Sequence, residues 1–148
     1  MTTYSSNLIG PSVPPKYLEK GVISVVAQFT INTALVAGDV IEMLQVPQGA
    51  QILDVGLAVP QLDTNATPTI SLNVGDGTTN NRYISADTNG GVATGGVTRL
   101  NQEGGLGYQY TTNGNTINVE CGTAAATAKL GQTITLTCTY ACDSYPYA

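Results

Sequence analysis

From Thr133 to Tyr140 the chain alternates without a break: Thr133, Thr135, Thr137 and Thr139 interleave with Ile134, Leu136, Cys138 and Tyr140. A β-strand sends successive side chains to opposite faces, so this run has one hydroxyl face and one apolar face. The same period of two organises residues 51–77. There, Leu53, Val55, Leu57 and Val59 are expected to share a face, with Asp54, Gly56 and Ala58 between them. After a polar loop with Pro60, Asp63, Asn65 and Pro68, Ile70, Leu72 and Val74 alternate again, until Gly75-Asp76-Gly77 signals a tight turn. Each run offers one face to bury and one to leave wet, which specifies a protein of packed sheets.

Further runs fill the body. Ile23, Val25, Ala27, Phe29 and Ile31 mark a first strand, and residues 40–46 (VIEMLQV) a second, closed by Pro47-Gln48-Gly49. Residues 82–86 (RYISA) read as a short fifth strand, followed by a glycine-rich loop. Leu106, Tyr108 and Tyr110 predict a sixth, and Ile117, Val119 and Cys121 a seventh across the Asn113-Gly114 turn. Residues 122–131 read as a loop. The expected fold is therefore all-β: an eight-stranded antiparallel two-sheet sandwich with jelly-roll topology. Strands seven and eight then lie in opposite sheets, with Cys121 and Cys138 both facing the core. An immunoglobulin-like sandwich is disfavoured, because the chain has no Trp and no Cys…Trp…Cys spacing.

The expected domains are an extended arm at 1–20, the sandwich at 21–142 and a C-terminal tail at 143–148. The arm holds Pro11, Pro14 and Pro15, which favour extended backbone, and it carries Tyr4, Leu8, Ile9, Val13, Tyr17 and Leu18. Such side chains gain by burial against a partner. With Tyr145 and Tyr147 of the tail they form the candidate contact set, since tyrosine buries much area at low entropic cost.

Chemistry is sparse. The 148 residues include no histidine, which removes the usual general base. The acids are dispersed, and Ser and Thr lack an evident activating partner, so no catalytic residue is assigned and no enzymatic activity is expected. GDGTTNN (75–81) offers too few carboxylates for calcium, and GGVATGG lacks the lysine of a phosphate loop. The cysteines, Cys121, Cys138 and Cys142, read as buried thiols, and no metal or cofactor is expected. With a formal charge of −5 and only five scattered Lys and Arg, direct nucleic-acid binding is not expected. No apolar run is long enough to span a bilayer, and no export signal is read at the N-terminus.

The segments GDVIEMLQVPQGAQILDVGLAV, LDTNATPTISLNVGDGTTNNRYI and LNQEGGLGYQYTTNGNTINVECGTAAATAKLGQTITLTCTY resemble small structural proteins of tailed bacteriophages, above all the capsid decoration, or cement, proteins. The likeness covers about residues 38–140 and rests on patterns such as LDT-x-ATPT-x-SL-x-VGDG and GLGY-x-Y; the arm lies outside it. The resemblance implies a β-sandwich on the outer surface of the head, commonly a homotrimer, whose partner is the major capsid protein. It brings no enzymatic site. The rival readings are a head-fibre or tail-associated module binding host glycans, and a secreted carbohydrate-binding domain. The absence of Trp counts against the second.

Overall fold

The computed structural model describes residues 1–8 and 21–142. Among these, nine strands run in chain order: β1 (Thr3–Leu8), β2 (Val22–Ile31), β3 (Val40–Val46), β4 (Ala50–Val59), β5 (Ser71–Asp76), β6 (Ile84–Asp87), β7 (Gly96–Arg99), β8 (Asn115–Thr123) and β9 (Gln132–Cys142). They form two sheets, ordered β1-β3-β8-β5-β6 and β2-β9-β4-β7. From β2 to β9 every connection crosses between sheets except β5 to β6. With β1 set aside, four strands face four in the jelly-roll order expected from the sequence. β8 and β9 do lie in opposite sheets, and Cys121 and Cys138 are both buried.

The core is the sum of the inward faces. Ile134, Leu136, Cys138 and Tyr140 of β9 are fully buried, as are Ile117 and Val119 of β8 and Leu72 and Val74 of β5. On the outer side of β9 the hydroxyls meet those of β2: Ser24 with Thr139 at 2.9 Å, and Thr30 with Thr133 at 2.8 Å. Cross-strand pairs of this kind add roughly 0.2–1 kcal/mol each.

Three expectations are corrected. In β4 the register slips between Ile52 and Asp54, so Ile52 turns inward and Leu53 is 37% exposed. A bulge shifts the phase of every side chain before it, and simple alternation cannot reveal that. The expected sixth strand, 106–110, is irregular: Gly107 has φ +77°, and one bridge joins Gln109 to Gln51. Its backbone still follows the start of β4, with Tyr108 O accepting from Ile52 N at 2.9 Å and Tyr110 N donating to Ala50 O at 2.8 Å. The glycine-rich stretch read as loop supplies β7, which pairs with the second half of β4. β7 was hidden because its pattern is inverted. Val97 faces outward at 64% exposure, while Thr98 accepts from Asn89 Nδ2 at 2.8 Å.

The first residues of the expected arm form β1, which pairs in parallel with β3. Asp39 holds its entrance: Oδ1 accepts from Thr2 N at 2.8 Å and Oδ2 from Val36 N at 3.0 Å. Ser6 Oγ donates to the Met43 carbonyl. The sandwich thus includes Thr3–Leu8, as an edge strand of the β3/β8/β5/β6 sheet, as well as the body from residue 21.

Gly75 sits where the turn after β5 folds back over the sheet. A Cβ there would lie 2.0 Å from the Thr79 carbonyl oxygen and 2.4 Å from Asn80 C. Both are backbone atoms, so Gly75→Ala must displace the turn, with an expected loss of about 2–4 kcal/mol. Gly56→Ala meets only side-chain atoms of Thr137 and Arg99 and should cost less. Urea unfolding of the two variants checks the ranking; a Gly75→Ala protein as stable as the parent contradicts the packing.

Candidate functional site

Four carboxylates are buried; Asp39, Asp63 and Asp76 are committed to structure, whereas Asp87 accepts from Asn89 N through Oδ1 and its Oδ2 has no partner among the described residues. Asp63 is fully buried where the loop before β5 meets the loop after β8. Its Oδ1 accepts from Asn65 N (3.1 Å) and Thr127 N (2.9 Å), and its Oδ2 from Thr69 N (2.9 Å) and Ala126 N (2.8 Å). Burial alone would raise its pKa. The four N–H donors outweigh burial and hold the pKa far below the usual carboxylate range. At Asp39 the Val36 N–H bond, opposed by burial, likewise lowers the pKa.

Asp76 anchors a second cluster. Its carboxylate accepts from Thr78 N, Thr79 N and Tyr110 Oη, and pairs with Arg82 Nε at 2.6 Å. The Arg82 guanidinium lies 3.7 Å from the centre of the Tyr108 ring, and Tyr83 Oη meets Tyr110 Oη at 2.5 Å. Burial opposes ionisation of Asp76, but Arg82 and the turn N–H groups win, so its pKa falls; burial pushes both phenols up. GDGTTNN is therefore a turn knotted by one carboxylate. On the outer face of the β3/β8/β5 sheet, Glu120 accepts from Asn73 and Asn80. Burial raises the thiols of Cys121 and Cys138 to about 11 and about 12, far from nucleophilic, and none of the three cysteines forms a disulfide. Among the described residues no group of three or more His, Cys, Asp or Glu is placed to hold a metal, and no helix is long and apolar enough to cross a membrane.

The segments that carry most of the candidate contacts attach at one end of the sandwich. The 47–49 turn joins β3 to β4 there. At that end Leu8 lies beside Leu44, Val22 pairs with Ala141, and Ala50 pairs with Cys142. Segments 9–20 and 143–148 therefore join the body at the same end. Of the candidate contacts, Tyr4 is half-buried, with its ring 5.8 Å from that of Phe29. The side chain of Leu8, and Ile9, Val13, Tyr17, Leu18, Tyr145 and Tyr147, lie outside the described residues. The outward face of β2-β9-β4-β7 is mostly small and uncharged. Val22, Val26 and Val97 are exposed on it, and its charges are paired, Arg99 Nη1 to Asp54 Oδ2 at 3.0 Å.

Sequence reading missed Asp39, Asp63 and Asp76 as organising groups. The signal for Asp63 and Asp76 was the pattern Asp-x-Asn/Thr in a turn, which marks a carboxylate able to bind its own following N–H groups. The pKa of each is lowered on folding, so each stabilises the protein above its ordinary value of 3.8, and that contribution drains away as pH falls through the folded value. With no histidine to titrate, the melting temperature should be flat from about pH 7 to 5 and drop below about pH 4. Asp63→Asn, which turns an amide toward N–H donors, should lose about 3 kcal/mol at neutral pH and flatten the acid limb. Thermal melts across pH on both proteins check this.

No protein-family model matches the sequence, and no curated protein does. Solved structures do. A chain in the capsid of Ralstonia phage GP4 superposes with a TM-score of 0.86 at 26% identity, covering 97% of this chain and 100% of that one. A chain in the cyanophage Pam1 capsid asymmetric unit gives 0.76 at 28% identity, over 89% and 92%. The acid-stable capsid of Helicobacter pylori bacteriophage KHP30 contains a chain at 0.54 and 24%, a likeness of fold alone. The resemblance to structural proteins of phage heads read from the sequence is borne out as a likeness to chains of solved phage capsids, over 97% of this chain for the GP4 capsid.

Proposed function

We propose that this chain is a structural virion protein that binds the outside of an assembled phage capsid and stabilises it by bridging capsomers, in the manner of a cement protein. The observation that carries this reading is the end-to-end correspondence with the GP4 capsid chain, all of which is matched by a protein of 148 residues. The counterpart is itself a small subunit, of a size suited to an accessory of the shell. The engagement of Asp39, Asp63 and Asp76 in the fold and the raised pKa of the Cys121 and Cys138 thiols support action by contact.

A protein that binds the assembled shell and not its separated subunits stabilises the shell by mass action. A homotrimer would engage three sites at once, and the raised effective concentration would let modest contacts hold. The major capsid protein is the proposed partner. Segments 9–20 and 143–148 would reach it through Ile9, Val13, Tyr17, Leu18, Tyr145 and Tyr147, with Tyr4 and Leu8 at their root. Ordering each backbone residue costs about 1–2 kcal/mol, and Pro11, Pro14 and Pro15 lower that by restricting the free chain.

A density map of virions should place the chain on the head exterior across capsomer seams; density inside the head or on the tail overturns the reading. A Val13→Ser/Tyr17→Ser double variant should keep the melting temperature of the free protein but lose occupancy and thermal protection of heads. Undiminished occupancy removes segment 9–20 from the contact.

A further inference from the structure

The chain contains two Asn-Gly steps, Asn89-Gly90 and Asn113-Gly114, and one Asp-Gly step, Asp76-Gly77. These are the sequences most prone to backbone attack on the preceding side chain, because glycine has no Cβ to shield its nitrogen or hinder the turn it must make. Every other asparagine is followed by a residue with a side chain. The fold treats the three steps differently.

Two are locked. Asn89 donates from Nδ2 to Thr98 Oγ1 at 2.8 Å, and its backbone N is held by Asp87 Oδ1 at 2.9 Å. Gly90 is buried against Ile70 and Leu62, and its carbonyl accepts from the N–H groups of both Leu62 and Asp63. Asp76 is fixed by Arg82, Tyr110, Thr78 and Thr79. The third is open. Thr112, Asn113 and Gly114 are exposed at the apex of the turn into β8, and a Cβ on Gly114 would meet nothing within 4 Å. The turn is closed by the Asn115 side chain, whose Nδ2 donates to Thr112 O at 2.7 Å, and among the described residues no partner is seen for the Asn113 amide or the Gly114 N–H.

We infer that Asn113 is a site of spontaneous deamidation in the folded protein. The Gly114 nitrogen, losing its proton to hydroxide, bonds to Asn113 Cγ; the Cγ–Nδ2 bond breaks and Nδ2 leaves as ammonia. Water then opens the resulting five-membered imide at either carbonyl, giving aspartate or isoaspartate. The sequence is redox-neutral and consumes only water. It adds one negative charge beside the 47–49 turn, where Gln48 Nε2 already holds Thr111 O at 2.9 Å, at the end of the sandwich that segments 9–20 and 143–148 join. The first strand pair beyond it, Asn115 with Val46, lies outside the altered link, so the sheet survives the change.

The test is peptide mass mapping of the full chain after incubation in mildly alkaline buffer, native and in urea. Native protein should convert Asn113 to aspartate and isoaspartate, with an acidic shift on isoelectric focusing, while Asn89 and Asp76 stay unchanged. In urea, Asn89 should convert at a rate like that of Asn113. Asn113→Gln should abolish the shift in native protein. Conversion of Asn113 only in urea overturns the proposal, as does equal conversion of Asn89 and Asn113 in the native state.

Discussion

Each sheet has an apolar face that water cannot be allowed to touch, and the only cover available is the opposite sheet. Ile134, Leu136, Cys138 and Tyr140 on β9 and Ile117, Val119 and Cys121 on β8 are the central strands of that mutual burial. Everything else adjusts to keep the phase of alternation correct. The slips in β3 and β4 are such adjustments: between Glu42 and Leu44, and between Ile52 and Asp54, the chain inserts a step so that the inward set stays inward. At one of these, Met43 and Leu44 are both buried in succession.

Long connections cross between the sheets, and their polar backbone has to be satisfied where it dips below the surface. Single aspartates solve this. Asp63 ties two loops distant in sequence, Asp39 seats the N-terminal strand, and Asp76 gathers Arg82 and two tyrosines beneath the turn after β5. The charge each carries is stabilised by fixed donors and is therefore withdrawn from chemistry. The result is a set of crossing loops pinned to the sandwich by charge-assisted hydrogen bonds.

The sequence made the sheets legible because burial on one face writes a period of two into any strand long enough to show it. β9, β2 and β5 were readable on that basis. β7 was not, since four residues with Val97 outward and Thr98 inward invert the expected sign. The run at 106–110 had the right sign but the wrong backbone, because Gly107 takes a positive φ and breaks the ladder. β1 carries no alternation strong enough to separate it from an extended arm. Its place depends on Asp39 and on the β3 edge, both remote in sequence. The candidate contact residues stood out only as apolar and aromatic side chains outside the expected strands, and two of them, Tyr4 and Leu8, belong to β1.

The parallel pairing of β1 with β3 changes what segment 9–20 is able to be. With Leu8 fixed beside Leu44 and Gly21 leading into Val22, the segment is a strap anchored at both ends, and both anchors lie at the same end of the body. Fully extended, it spans about 40 Å, so out and back it projects about 20 Å. A free tail of equal length could search twice as far. Whatever the segment touches must therefore lie within that short radius of the end at which both its anchors sit.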